Sequence, residues 1–181
     1  MAADEISDEI DGATRQRVIT WQDPRATRDK LLAMDGPAFY AAVTSGRFPL
    51  APMLRLMGLR VRASATEEPR QVVFEADPAE YHLNPMGVVH GGFAATMLDS
   101  AIGHTIVSNL PPGAIFTTLE IKVSYLRPMT DETGVVHTDT TIVSLGRRVV
   151  SVESRLLDDR GRLYATSSST CLIIEAPARA N

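Results

Sequence analysis

The residues whose types and spacing could do chemistry lie between Asn84 and Asp99. A glycine pair, Gly91-Gly92, follows His90 and opens an apolar helical pattern, and Asp99 lies two turns further along that pattern. Backbone amides at a helix start lack an intrahelical acceptor and attract negative charge. An aspartate within an apolar helical pattern needs a chemical or hydrogen-bonding reason to be there. Together these features predict a site for attack on a carbonyl group.

The spacing of Gly91 and Asp99 predicts that two copies of the chain share each site. At about 1.5 Å of rise per residue, the two residues lie roughly 12 Å apart along one helix. An aspartate side chain covers only a small part of that distance. Two such helices running antiparallel about a two-fold axis would bring the Gly91 amide of one copy near Asp99 of the other, twice by symmetry. We therefore expect a homodimer with shared active sites.

The residue types assign a role to each member of this group. The Gly91 amide, with Gly92 as a second donor, would stabilise an oxyanion. Asp99 would activate a water molecule or attack the carbonyl directly to give a mixed anhydride, and the sequence leaves both routes open. Asn84 would orient the water or the carbonyl, and we expect His90 to support the loop by hydrogen bonding more than to act as a base. The structural alternatives are glycines kept for close packing and an Asp99 that only makes a buried hydrogen bond.

Composition limits the class of protein. The chain has 181 residues, 44% of them hydrophobic, and a formal net charge of -4, which is typical of one globular domain and excludes the concentrated basic face of a nucleic-acid-binding protein. The single cysteine, Cys171, excludes an internal disulfide framework, fits a reducing compartment and is expected to be a buried strand residue. The histidines lack metal-ligand spacing, so we expect no metal site.

The chain carries no sign of a membrane or secretory segment. Its first residues are acidic, whereas a secretory signal begins with basic residues and continues into an apolar region. The charge-free stretch from Ser100 to Leu119 is interrupted by Pro111-Pro112-Gly113, so it cannot form one membrane-spanning helix. We therefore expect no membrane association and a cytoplasmic location.

The pattern of helices and strands predicts an α+β fold, in which a curled antiparallel sheet surrounds one long central helix. Residues 1–12 are expected to be a disordered acidic tail, 13–58 a helical extension and 59–176 the main domain. The extension is expected to hold a helix capped by Asp35 and ending at Gly46, and another over Met53–Met57. The main domain is expected to begin with a hairpin and continue through the long helix into a four-strand meander. Its elements are strands Leu59–Ala63 and Val72–Ala76 about a turn near Glu68-Pro69, helix Gly92–Leu110, and strands Ile115–Leu126, Gly134–Val143, Val149–Leu157 and Leu163–Ile174.

The run His82-x-Asn84-x-x-Gly87-x-x-His90-Gly91-Gly92, with Asp99 and Ser100-Ala101-x-Gly103 after it, resembles the hotdog-fold acyl-CoA thioesterases of the PaaI-like group. The resemblance covers roughly Leu59–Ile174. It implies the hotdog fold, dimers that form one longer sheet and can pair into tetramers, and hydrolysis of an acyl-CoA thioester at the dimer interface. It implies no cofactor, since coenzyme A arrives as part of the substrate.

The resemblance also implies which subunit supplies each group. Asn84 and Gly91 would come from one subunit, and Asp99 and Thr118 from the other, with the Thr118 hydroxyl holding the attacking water. Strict strand alternation instead places Thr117 on the core face, unless the strand bulges, so Thr117 is the second candidate for binding substrate.

The resemblance also implies basic surface residues that meet the phosphates of coenzyme A, and Arg147 and Arg148 at a later turn are the candidates, since a guanidinium can bind phosphate oxygens in pairs. Solvated turn charges are the alternative. Residues Asp35–Met57 would cover the acyl end of the pocket, or else serve core packing or oligomer contacts. The sequence does not determine which acyl group the substrate carries, and aryl, phenylacetyl-like and medium-chain fatty thioesters are all compatible with it. Two other functions share this fold: a non-catalytic acyl-CoA-binding module, and a hydratase or dehydratase of enoyl or hydroxyacyl thioesters that would use His90 directly.

Overall fold

A computed structural model describes residue 12, residues 14–62 and residues 69–175 of the chain. The acidic tail expected over residues 1–12 lies outside the described residues except for Gly12, and so does the hairpin turn expected near Glu68. None of the helices in the described ranges combines the length and apolarity needed to cross a membrane.

In the described part of the chain, three short helices precede the sheet: α1 (Arg25–Ala33), α2 (Gly36–Thr44) and α3 (Pro52–Leu56). Asp35 caps α2 as expected, its Oδ1 accepting a hydrogen bond of 2.7 Å from the Ala38 amide. The sequence pattern indicated two helices here, and α1 is the one that it missed. No α1 residue is buried, so α1 lacks the strong apolar pattern of a core helix, although Asp23 Oδ1 accepts a hydrogen bond of 2.9 Å from the Arg25 amide at its start.

Within the described ranges, six strands form one antiparallel sheet in the order β1-β2-β4-β5-β6-β3. The strands are β1 (Arg60–Arg62), β2 (Val73–Ala76), β3 (Ala114–Tyr125), β4 (Val136–Leu145), β5 (Val149–Asp158) and β6 (Leu163–Glu175), and a 3₁₀ turn spans Glu80–His82. The expected four-strand meander is wrong in its first strand. Of the four strands expected there, β4, β5 and β6 are neighbours in chain order, whereas β3 pairs with β6 at the sheet edge. The expected hairpin of β1 and β2 is confirmed, and β2 pairs in turn with β4.

The long helix α4 (Gly91–Val107) lies against this sheet and forms the centre of the core. Apolar residues around most of its circumference are fully buried, among them Phe93, Met97, Leu98 and Ile102. A helix that is apolar on nearly all faces must be enclosed, which the curled sheet and the N-terminal helices accomplish. Cys171 is a fully buried residue of β6, as expected.

Helix α2 is fixed on the end of α4 by a close backbone contact at Gly36. The Gly36 amide donates to the Leu110 carbonyl at 3.1 Å, and a Cβ added at Gly36 would lie 2.3 Å from the Ser108 carbonyl oxygen. Only glycine allows this approach, because the obstructing atoms belong to the backbone of another element.

Gly36→Ala is therefore expected to destabilise the protein by about 2 kcal/mol or more, since overpacking against a rigid neighbour costs about 1–3 kcal/mol. Chemical denaturation measures the free energy of unfolding. Gly12→Ala is the control, because nothing lies within 4 Å of a Cβ there. Equal stability of the two variants would contradict the packing role of Gly36.

Candidate active site

The loop before α4 is shaped by Asn84, which is half-buried. Its Oδ1 accepts hydrogen bonds from the Met86 amide at 2.9 Å and the Val88 amide at 3.4 Å, and its carbonyl accepts from the Gly87 amide at 2.9 Å. Gly87 has a φ of +75°, a conformation that glycine adopts without strain. The side-chain Nδ2 of Asn84 has no partner among the described residues, so it remains a donor for a bound group.

His90 caps α4 with its side chain. Its Nδ1 accepts a hydrogen bond of 2.9 Å from the Gly92 amide, so the proton of the neutral ring lies on Nε2. Gly92 was expected as a second oxyanion donor, but its amide is already engaged by His90. The Gly91 amide has no hydrogen-bond partner within the described ranges. The structure therefore leaves Gly91 as the free donor at this helix start.

Tyr125, the last residue of β3, lies over Gly91. Its hydroxyl donates to the Gly91 carbonyl at 3.2 Å, and a Cβ at Gly91 would come within 3.1 Å of the tyrosine ring. The glycine thus serves close packing as well as an accessible amide.

The buried His82 holds the loop in place, a role that sequence analysis missed. Its Nδ1 accepts from the Ala79 amide at 3.0 Å, and its Nε2 donates to the Met57 carbonyl at 3.1 Å. The ring packs on Phe93 of α4, and the His82 carbonyl accepts from the His90 amide at 2.8 Å. Burial lowers the pKa of His82, which keeps the ring neutral, as these two hydrogen bonds require.

Asp99 meets a hydroxyl of its own chain. The Thr118 Oγ1 donates to the Asp99 Oδ1 at 3.4 Å, and Thr118 reaches α4 because β3 contains a bulge. Thr118 pairs with Cys171 and Glu120 pairs with Thr170, which leaves Leu119 as the extra residue.

The bulge reverses the faces that strict alternation assigns. Thr118 lies on the helix side, whereas Thr117 is exposed and pairs with Leu172. The structure therefore brings Thr118, not Thr117, to Asp99.

The surroundings of Asp99 disfavour its ionised form. Desolvation by the neighbouring helix and strand raises the pKa of the carboxyl, and the hydrogen bond from Thr118 partly opposes that rise. A carboxylate with a raised pKa is a better proton acceptor at neutral pH than an ordinary aspartate.

Arg147 and Arg148 lie at the exposed turn between β4 and β5. No side-chain partner is recorded for either guanidinium in the described part of the chain. Val149, the next residue, pairs with Leu172, which in turn pairs with Thr117. The end of the turn at Val149 therefore lies two strand spacings from Thr117, which is a backbone distance of about 10 Å.

A cavity of about 550 Å³ opens beside Asp99, between α4 and the N-terminal helices. His104 lines it, with Nδ1 donating to the Ser100 carbonyl at 2.9 Å and burial lowering the pKa of the ring. Phe116 also lines the cavity and lies against Gly103, where a Cβ would come within 2.8 Å of the ring. Sequence analysis placed no functional residue on α1, although that helix forms part of the cavity wall.

Comparison with known families identifies the fold. Residues 86–165 match the family model of the thioesterase superfamily. The chain has the hotdog fold, and the match to the thioesterase superfamily lies within it. Among curated proteins, a provisionally named esterase of Halobacterium salinarum is 33% identical over 99 residues, which cover 54% of this chain and 64% of that protein. The matched segment thus spans just under two thirds of that relative.

Two solved hotdog structures extend the match. A phenylacetic acid degradation-related protein from Ralstonia eutropha JMP134 has a TM-score of 0.65 and 28% identity, covering 74% of this chain and 98% of that one. A variant of the phenylacetic acid degradation protein PaaI from Thermus thermophilus has a TM-score of 0.58 and 26% identity, and the match covers 67% of this chain and 98% of that one. About a quarter or more of this chain thus lies beyond what these hotdog proteins match.

Asp99→Asn is expected to raise the free energy of unfolding at neutral pH, because it removes a desolvated carboxylate from the hotdog domain. The folded state of the native chain binds the proton more tightly than the unfolded state, so the advantage of asparagine is largest above the raised pKa. It should fade as the pH falls through that pKa towards the ordinary carboxyl value.

Denaturation of both proteins at equal concentration across this pH range measures the difference. Asp131→Asn is the matched control, since Asp131 is an exposed aspartate in the connection between β3 and β4. If the difference in the free energy of unfolding between Asp99→Asn and the native chain is constant across the pH range, or if Asp131→Asn gains as much, the desolvation of Asp99 is contradicted.

Proposed function

We propose that this protein hydrolyses acyl-CoA thioesters at sites shared between two copies of the chain. The observation that carries the proposal is the placement of two complementary groups on one rigid helix. The free Gly91 amide begins α4, and Asp99, hydrogen-bonded to Thr118, lies about 12 Å along it. Neither group can reach a carbonyl held by the other within one chain.

The edge strand β3 supports pairing of two chains. It is twelve residues long, and β6 is its one sheet neighbour among the described residues. Leu119, at the bulge, has 58% of its surface exposed. A long edge with exposed apolar residues is ordinarily covered, since it would otherwise pair with other strands. Joining β3 to its symmetry mate would continue the sheet and set the two α4 helices antiparallel. Dimers would pair further into tetramers.

In the proposed reaction the Gly91 amide of one copy polarises the thioester carbonyl, and Asp99 of the other acts on a water molecule. The Thr118 hydroxyl donates to Asp99, and its lone pairs remain free to accept a hydrogen bond from that water. The water oxygen attacks the carbonyl carbon while its proton passes to Asp99. Collapse of the tetrahedral intermediate breaks the carbon–sulfur bond, and the departing thiolate takes the proton from Asp99. The products are the free acid and coenzyme A.

Direct attack by the Asp99 carboxylate is the second route. It would form an aspartyl anhydride and release the thiolate, and water would then cleave the anhydride. The Thr118 contact favours water activation, because it leaves a hydroxyl positioned beside the carboxylate. Asn84 Nδ2 and His90 Nε2–H are further donors at the helix start and would orient the carbonyl or the water.

Coenzyme A would lie with its phosphates towards Arg147 and Arg148. The turn that carries them ends at Val149, whose backbone lies about 10 Å from that of Thr117, and neither guanidinium has a side-chain partner among the described residues. The phenylacetic acid degradation proteins among the similar structures make phenylacetyl-CoA one thioester to test beside aliphatic ones.

Substitution of Gly91 tests the oxyanion role. Gly91→Pro removes the amide proton, and proline is tolerated at the first position of a helix. His90, with φ -60° and ψ 135°, already has the extended conformation required before proline. We expect a loss of about 10²–10³-fold in kcat for release of free thiol from acyl-CoA, because one oxyanion donor is removed.

Gly91→Ala is the matched control, since it adds a Cβ against Tyr125 but keeps the amide proton. It should retain far more activity than Gly91→Pro. Asp99→Asn should lose about 10²–10⁴-fold in kcat. Equal rates for the alanine and proline variants would contradict the Gly91 role, and unchanged turnover by Asp99→Asn would remove the proposed base.

A further inference from the structure

We propose that the cavity between α4 and the N-terminal helices binds the acyl part of the substrate and selects medium-length chains by its depth. This inference rests on the proposed hydrolysis at Asp99 and goes beyond it, since it names the substrate class. It also assigns a function to α1 and α2, which precede the residues matched by the family model.

One stripe of α4 forms the floor of the cavity. Its lining includes Asp99, Ser100, Gly103, His104 and Val107, a spacing that places all five on one helical face. The stripe begins at the proposed base and ends two turns further on, at Val107. At about 1.5 Å per residue, the floor extends roughly 12 Å from the reacting group.

The N-terminal helices and the segment before α3 form the opposite wall. Leu31 of α1 and Phe39 of α2 line it, with Phe48, Pro49 and Leu50 from the segment between α2 and α3. Most of the surface facing the cavity is apolar. Arg25 and Arg28 of α1 also line it, and both are exposed, so their charged ends can remain in water. An apolar lining next to a carboxylate suits a chain that is polar only at its reacting end.

The side wall of the cavity is formed by Phe116, whose position depends on the absence of a side chain at Gly103. A Cβ there would come within 2.8 Å of Phe116 Cζ, so the glycine lets the Phe116 ring lie against α4 beside the floor. His104 packs on Phe39 at 5.7 Å and on Phe74 at 4.9 Å between ring centroids, with its Nδ1 proton bound to the Ser100 carbonyl. The floor beyond Asp99 therefore consists of packed, uncharged groups.

The depth of the cavity sets the length of the acyl chain that it can hold. Three backbone bonds span at most about 3.3–3.6 Å in an extended polypeptide, or roughly 1.2 Å per bond. A floor of roughly 12 Å therefore accommodates an extended chain of about ten bonds. Ten bonds join eleven atoms, so the floor corresponds to an acyl group of about ten to eleven carbons, counted from the carbonyl at Asp99 to Val107.

Changing Val107 tests this length limit, since Val107 is remote from the reacting groups. Val107→Phe should shorten the cavity and lower kcat/KM for decanoyl-CoA by more than about tenfold, because each methylene lost from an apolar pocket costs about tenfold or more. The value for butyryl-CoA should stay within about twofold. Val107→Ala should move the preferred length upward and keeps the proposal testable if the larger residue impairs folding.

Val143→Phe is the matched control, because Val143 is exposed on β4 and lines no part of the cavity. Native-like chain-length profiles in both Val107 variants, with hydrolysis intact, would overturn the acyl-site assignment while leaving the proposed function standing. Absence of hydrolysis of every acyl-CoA by the native chain would instead refute the proposed function.

Calorimetric binding of decanoyl-CoA and butyryl-CoA to Asp99→Asn, with and without Val107→Phe, tests the cavity without turnover. Tighter binding of decanoyl-CoA that is lost in the double variant supports the inference. Equal affinities for the two thioesters, or no effect of Val107→Phe, would overturn it.

Discussion

The separation of Gly91 and Asp99 on a single rigid helix is the constraint on which the proposed site depends. Both residues belong to α4, whose burial in the sheet fixes their distance at about 12 Å. The helix start supplies an amide that is unpaired among the described residues, and its middle supplies a partly desolvated carboxylate. Because these complementary groups cannot meet within one chain, the same geometry that separates them favours two antiparallel copies of the helix.

The bulge at Leu119 in β3 is the second feature on which the geometry of the proposed site depends. One extra residue turns Thr118 towards α4, where its hydroxyl meets Asp99, and leaves Thr117 exposed. Beyond the bulge, Tyr125 still lies over Gly91. A single strand therefore contacts both residues of the proposed site, Gly91 at the start of α4 and Asp99 at its middle. Bulges often redirect a side chain next to an active site, and here the redirected hydroxyl donates to the carboxylate and partly opposes the rise that desolvation causes in its pKa.

The sequence could predict what local patterns determine. The Asp35 cap, the extent of α4 and the approximate bounds of the strands follow from periodicity and turn residues, and the hotdog fold follows from the motif between His82 and Gly103. Strand order was partly wrong, because adjacency of β3 to β6 depends on how the chain passes around α4. Helix α1 escaped notice since it buries no residue, which leaves its apolar pattern weak. The hydrogen bond from the Gly92 amide to His90 could not be predicted, because it depends on the orientation of the His90 ring and residue spacing does not determine that orientation.

The most direct test of sites shared between chains is complementation of two inactive variants. Coexpression of Gly91→Pro and Asp99→Asn chains in equal amounts makes about half of all dimers mixed, and each mixed dimer contains one site with both native groups. The account predicts recovery of about a quarter of native acyl-CoA hydrolysis, far above either variant alone. Activity no greater than the average of the two separate variants, in a preparation shown to contain mixed dimers, would contradict it.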